Sequence, residues 1–590
     1  MMTASTVDLP SAAIRAPGIR AASLWQFAVF LVVLLAVLAP LMFLVLGSFS
    51  QARLPSEFSF STLSLANYIK VWSDPATYAI LSNTLWFGFG STAFGIVVAA
   101  GLAWLVERTN VPGKIWIYAG VPMTLAMPGM LQAMAWVLLA SPRIGFINKG
   151  LMDGLGLPAA PFNIYTLPGM IFIEGLRTVP TAFLMLVPLL RAMDPTLEEA
   201  AAMSGARPAS ALRKVTLGLM LPGLLATAIF QFTSALEEFE VAGILGLPAG
   251  IYVFSTRIYA LLHLTSSLPA YGEANALAMF YLLVAVIGIY LYGRVIGKAE
   301  RFTIITGKGY RPRPLHLGRW RWPAAGLAWL YLALSTIVPF LVLAYVSFLP
   351  FVQPPSAKAF AAMTWDNYQM VFETDSTLPM LWNTFVMTVS VATAVVIVSF
   401  LISFVVVRSK FFARKLLDQL AFLPHAVPGM VLGLALLWVF LQVDKLGVGL
   451  FNSIPSLIIA FTIGYISYGT RVMNAAVLQI HKDLEEAASV SGAAQWRVFA
   501  RVFFPLLRPA FVGVWIWTVL HVVRSAGKPL ILTSGGDSEV LAVTIWNMWD
   551  HGYIEAVGAI GTMLMLALLV VSLAVRRFGF GSTAHVQEAR

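Results

Sequence analysis

Residues 483–509 read "DLEEAASVSGAAQWRVFARVFFPLLRP", a polar stretch set between two long apolar runs. Asp483 followed by Glu486 has the spacing of a capping box, in which each side chain satisfies an orphan backbone N–H of a helix start. Gly492 supplies the residue type that ends helices in the left-handed conformation at least cost. The spacing therefore predicts a short helix, a stop, and a second helix that re-enters apolar sequence. The same pattern stands at 196–222, "TLEEAAAMSGARPASALRKVTLGLMLP", with Thr196 as cap, Glu199 as its partner and Gly205 as stop. The pairs Leu197/Leu484, Gly205/Gly492 and Pro222/Pro509 all lie 287 residues apart.

Around these two polar islands the chain is oily. Its 590 residues are 59% hydrophobic and 11% charged, with mean hydropathy +0.83. Soluble domains carry about 25% charged residues, so the composition defines an integral membrane protein. The absence of cysteine excludes disulfides and thiolate chemistry. Runs long enough to cross a bilayer, about 20 residues each, fall near 24–46, 79–106, 115–140, 164–190, 221–246 and 277–297. A second set falls near 324–349, 379–407, 416–441, 455–479, 509–533 and 556–575. The first run is longer than the apolar core of a signal peptide and is expected to be a retained span.

Lys and Arg set the orientation. They cluster in alternate connections, including Arg108 and Lys114, Arg207 to Lys214, Arg408 to Lys415, and Arg497 to Arg508. The positive-inside rule places both polar islands and both termini in the cytoplasm. It also accounts for the formal charge of +11 without nucleic acid. The basic strip Arg294–Arg321 suits anionic lipid headgroups. Its "TGKG" lacks the upstream Gly and the Ser or Thr of a phosphate-binding loop.

The duplication extends beyond the islands. "LANYIKVW" at Asn67 matches "WDNYQMVF" at Asn367, "LSNTLWF" at Asn83 matches "LWNTFVM" at Asn383, and "MPGM" at 127–130 matches "VPGM" at 427–430. These pairs are 300 apart, so the first half carries thirteen extra residues, placed in the Gly- and Pro-rich segment 141–163. Both halves start and end on the same side, the parallel kind of duplication. The expectation is an all-α membrane protein of about twelve transmembrane helices in two parallel six-helix repeats. Its parts are a tail 1–22, a first repeat 23–298, a basic linker 299–322, a second repeat 323–577 and a tail 578–590.

Ionisable residues inside spans are costly and point to function. The fifth span carries Glu237, Glu238 and Glu240, and the 287-residue offset sets Glu237 opposite Arg524, with Lys528 one turn on. These five either line a passage between the halves, with Glu237 pairing Arg524, or hold the helices in register. Glu174 and Arg177, three apart on one helix face, are expected to bond each other. No spacing forms a metal cage, and no nucleophile–base pair is recognisable.

Glu199, Ala200, Ala201 and Gly205, and again Glu486, Ala487, Ala488 and Gly492, resemble the coupling motif of ABC-importer permeases that work with a soluble binding protein. The chain as a whole resembles a fused permease of the type I importer fold, doing the work of two subunits. The linker and the segment after the fifth span are similar to the ferric-iron group. Related fused permeases for thiamine, polyamines or aminophosphonates share much of the pattern. The resemblance implies a homodimeric ABC ATPase at the cytoplasmic face, a substrate-binding protein at the outer face and residence in a bacterial inner membrane. It implies no cofactor on this chain, with ATP bound by the ATPase. The family's Leu-Pro is Phe504-Pro505 in the second half and Leu217-Gly218 in the first, so the two docking sites are expected to be unequal. A proton-coupled secondary transporter would also show parallel repeats; the duplicated coupling segment speaks against it.

Overall fold

The computed structural model describes residues 19–193, 203–205, 210, 215–263, 268–299, 314–491 and 495–578. Glu199, Ala200, Ala201 and Gly492, most of the basic linker and both tails lie outside the described residues. Among those described, the first half contains α1 (Ile19–Phe49), α2 (Pro75–Arg108), α3 (Lys114–Met123), α4 (Gly129–Ala140), α5 (Phe146–Leu155), α6 (Leu167–Ala192), α7 (Leu217–Leu236), α8 (Glu240–Gly246), α9 (Phe254–His263) and α10 (Tyr271–Ala299). The second half contains α11 (Arg321–Leu332), α12 (Val338–Ser347), α13 (Thr377–Arg408), α14 (Arg414–Phe422), α15 (Gly429–Asp444), α16 (Ile454–Gln479), α17 (Lys482–Val490), α18 (Phe504–Arg524), α19 (Gly527–Leu532), α20 (Leu541–Asp550) and α21 (Ile554–Phe578).

Ten unbroken helical stretches among the described residues are long and apolar enough to span a membrane; α11 and α12 form one of them through a π-helical turn. Two bent pairs complete six spans per half: α3 with α4 bends by 98°, and α14 with α15 by 110°. Each bend falls at the Pro-Gly of the repeated motif, Pro128-Gly129 and Pro428-Gly429, where proline removes a donor and blocks helical continuation. Both pairs differ from the continuous spans expected from hydropathy. Hydropathy counts apolar length and does not register a turn made inside an apolar environment.

The duplication is visible bond by bond. Asn67 donates to the Ser48 and Ser50 carbonyls, and Asn367 to those of Ser347 and Leu349. Thr84 accepts from the Phe254 N–H at 3.0 Å, and Thr384 from that of Leu541 at 2.9 Å. In membranes such polar contacts and close backbone approach replace the hydrophobic effect as the glue between helices. Gly95 of α2 lies so close to α6 that a Cβ there would overlap the Thr178 hydroxyl.

The halves interlock. α1 packs on α10 of its own half and on α15 of the other, while α12 packs on α21 of its own half and on α4 of the other. Every residue of α4 is buried, as expected of a helix that is apolar all round. Gln132 on α4 donates to the Ser335 carbonyl at 2.8 Å, and Gln442 on α15 donates to that of Pro55. The pseudo-twofold axis passes near Tyr259 of α9 and Trp546 of α20. These residues are 287 apart, and the Trp546 indole N–H donates to the Tyr259 hydroxyl at 3.2 Å.

Candidate functional site

The fifth span of each half ends before the apolar stretch expected for it does. α7 stops at Leu236 and the chain restarts as α8 at Glu240; α18 stops at Arg524 and restarts as α19 at Gly527. The expected spans 221–246 and 509–533 are therefore each broken near their ends. A seven-residue helix such as α8 rises only about 10 Å, too little to cross a bilayer. The stretch Glu240–Ala249 that it opens is bent by 70° against α9. The five charges singled out in the sequence sit at or beside these breaks.

Glu238 closes the first break. Its Oε1 accepts from the Glu240 N–H at 3.0 Å and the Val241 N–H at 3.4 Å, capping α8, while Oε2 pairs with Arg177. Arg177, near the middle of α6, also holds Glu174 one turn before it, with Nε at 2.8 Å from Oε2. The expected Glu174–Arg177 bond is present and belongs to a larger cluster. Breaks of this kind are tolerated in lipid only where side chains or cavities serve the freed backbone groups, which is the office Glu238 performs.

The other charges reach across the interface. Glu237 Oε2 accepts from the Gly429 N–H at 3.1 Å, at the start of α15. Glu240 Oε1 accepts from the Ala526 N–H at 3.3 Å, just ahead of α19. Carboxylates at helix N-termini are favoured by orphan donors and by the helix dipole. Arg524 donates to the Leu125 carbonyl in the first half. Glu237 and Arg524 thus do not form the expected ion pair. Residues related by a twofold axis meet only when they lie on it, as Tyr259 and Trp546 do. Lys528 is 6% exposed and sits over the rings of Phe461 and Tyr465, 4.9 and 5.0 Å from their centroids.

The second polar island is described at 483–491 and 495–509. α17 begins at Lys482, two residues earlier than the capping box requires. Asp483 lies inside the first turn, and its carboxylate stands 3.1 Å from His481 Nδ1. An acid in the first turn suits the dipole in either register. Ala488 faces the bundle, against a small cluster with Val477, Ile480, Val498 and Phe503. Leu484, Glu486, Ala487 and Val490 face outward, with Val490 90% exposed. In the first island Gly205 has φ +84°, the left-handed stop expected of it, and Met203 is 92% exposed.

Two residues that sequence reading assigned only to loop charge support these islands. Arg108 Nη2 donates to the carbonyls of Leu190 at 3.0 Å and Met193 at 3.2 Å, closing the end of α6. Arg408 does the same for Val477 and Ile480 at the end of α16. The signal was present: the arginines are 300 apart and their acceptors 287 apart, the two offsets of the repeat.

These features define a multi-pass membrane transport protein whose two equivalent halves meet at broken, charged helices. The chain belongs to the family described as binding-protein-dependent transport system inner membrane component, whose profile matches residues 91–300 and 396–580. It is an ABC-importer permease of the inner membrane, with the importer's two-half architecture in one chain. Among curated relatives, the ferric transport system permease protein FbpB of Actinobacillus pleuropneumoniae is 24% identical, over 84% of this chain and 70% of its own. The Fe(3+)-transport system permease protein FbpB 2 of Haemophilus influenzae is 20% identical, over 88% of this chain and 93% of its own. The sulfate transport system permease protein CysT of Salmonella typhimurium is 28% identical, over 34% of this chain and 70% of its own.

Proposed function

We propose that this permease imports ferric iron, delivered by a soluble binding protein at the outer face and driven by a homodimeric ABC ATPase at the cytoplasmic face. Relatives named for ferric transport match most of the chain, whereas the sulfate permease matches about a third of it. Both termini lie in the cytoplasm in this reading, from the distribution of Lys and Arg.

The observation that carries the ATPase assignment is the outward face of α17. Leu484 and Val490 are 48% and 90% exposed on a short polar helix outside the spans, flanked by exposed Arg497 and Arg501. Aliphatic side chains displayed in this way suit a protein groove. Glu486, Ala487, Ala488 and Gly492 in the second half, and Glu199, Ala200, Ala201 and Gly205 in the first, are the docking residues. The small alanines permit close approach, and the two arginines meet carboxylates of the ATPase. Closure of the ATPase dimer moves both docking segments. Arg108 on α2 and Arg408 on α13 fix the ends of α6 and α16, from which the docking segments continue and whose middle sections border the broken helices. The halves then separate at one face and close at the other.

Reconstitution with the ATPase and the binding protein tests this. Radioiron supplied as ferric ion accumulates in vesicles only with ATP, and thiamine, polyamine, aminophosphonate and sulfate do not. Uptake that persists without the ATPase and follows a proton gradient would replace the importer reading by a secondary transporter.

A further inference from the structure

The offset of 287 aligns the two breaks residue by residue, and the alignment shows that they are not chemically equivalent. Glu174, Arg177, Glu237, Glu238 and Glu240 correspond to Phe461, Gly464, Arg524, Ser525 and Gly527. The first half thus supplies carboxylates where the second supplies a ring, a hydroxyl, a glycine and a guanidinium. Lys528 stands where the first half has Val241. It occupies the room left at Gly464, where an added methyl would lie 3.3 Å from its Nζ. The second half has therefore lost the arginine on its fourth span and carries a cation on its half-helix instead.

Two of the carboxylates, Glu174 and Glu238, are committed to Arg177. That leaves Glu237 and Glu240, which bond the second half, Arg524, which bonds the first, and Lys528, whose Nζ lies 3.5 Å from where a methyl on Gly429 would sit, beside the N–H that Glu237 takes. Among the described residues, none of these four makes an ion pair. Glu237 and Glu240 rest on backbone N–H groups, Arg524 on a carbonyl, and Lys528 on two aromatic faces. Glu237 is exposed, Glu240 and Arg524 are half-buried and Lys528 is buried, and a buried charge is ordinarily paired. Here two of each sign meet across an interface, and each is held by contacts that separation of the halves breaks or leaves behind.

We propose that Glu237 and Glu240 form an anionic wall and Arg524 and Lys528 a cationic wall of the translocation path, and that the solute it takes carries both signs of charge. A metal cation still bearing an anionic ligand meets that requirement, as does an organic zwitterion; a bare cation does not. The inference rests on the path running between the halves of an ATP-driven importer. A bare trivalent cation would gain from Glu237 and Glu240 and be repelled by Arg524 and Lys528 at the same depth. A solute of two signs replaces on each wall the contacts that opening removes.

The test is ATP-driven uptake into vesicles containing this chain, its ATPase and its binding protein. Two probes are used: doubly labelled ferric phosphate and a labelled aminophosphonate. Accumulation of both iron and phosphate labels identifies a metal–anion complex and supports both the proposal and the ferric reading; accumulation of the aminophosphonate identifies an organic zwitterion, which supports the two-walled path and overturns iron as the solute. Lys528→Met should then lower the solute moved per ATP by roughly 10- to 100-fold, the scale of one hydrogen bond to a charged group. Lys528→Arg should restore most of it, and Glu240→Gln should lower it in the same way. Iron crossing without its anion, uptake of neither probe, or faster uptake by Lys528→Met overturns the two-walled path. Uptake by the wild-type chain without ATP overturns the importer reading beneath it, so the two failures are distinct.

Discussion

Replacing Arg177 by methionine is the sharpest structural perturbation of the broken-helix cluster. Arg177 holds Glu174 and Glu238, whose side chains are 2% and 9% exposed. Methionine keeps much of the volume and leaves both carboxylates buried without their cation. Breaking a buried pair costs about 3–5 kcal/mol because the remaining charge is uncompensated. Arg177 itself is 25% exposed, so the lower figure, about 3 kcal/mol, is expected. At roughly 2 °C per kcal/mol for units the size of one half, the midpoint falls by about 6 °C. The 17 tryptophans allow the melt to be followed by intrinsic fluorescence in detergent. The double variant Glu174→Gln/Arg177→Met leaves only Glu238, which keeps the Glu240 and Val241 N–H groups. It should recover at least about 1.5 kcal/mol, within the range for groups in one network. A single variant within about 0.5 kcal/mol of the parent, or a double variant no better than the single, refutes the reasoning.

Three further outcomes follow from other parts of the molecule. Glu486→Arg reverses the charge on the outward face of α17 and should abolish association with the ATPase or its binding-protein-stimulated hydrolysis; normal values for both would remove the docking role. Tyr259→Phe deletes the acceptor of the Trp546 N–H across the axis and should cost about 0.5–1.5 kcal/mol, read in the same fluorescence melt. Trp546→Phe also loses ring packing against Phe239 and Gly243, so the test is the double-mutant cycle: the two losses should fall short of additive by about the worth of the bond, and strict additivity would contradict the shared bond. Gly95→Val overpacks the α2–α6 crossing against Thr178 and should destabilise by about 1–3 kcal/mol; an unchanged midpoint would show that the helices are free to separate.

The membrane class, the six spans per half and the duplication follow from composition, run length and offset. These are properties of the chain taken locally, because a bilayer imposes length and polarity on each span separately. The polar islands were legible for the same reason: a charged stretch at a matched place in both halves stands out in so apolar a chain. The fifth spans were misread, since Glu237 to Glu240 counted as charges within a helix rather than as the end of one helix and the cap of the next. Arg108 and Arg408 were read only as loop charges, because their acceptors lie far along the chain.

The amino-acid sequence by itself determined that this protein spans the membrane as two like halves and which residues are too polar to lie there idly. Only the tertiary structure decided their partners: Arg177 joins two carboxylates, Glu237 and Glu240 cap helices of the opposite half, and Lys528 takes the place left at Gly464. The reason is physical. Periodicity and hydropathy describe a helix against its solvent, whereas the interlocking of α1 with α15 and α12 with α4 depends on how two helical surfaces fit. No local pattern carries the register of that fit.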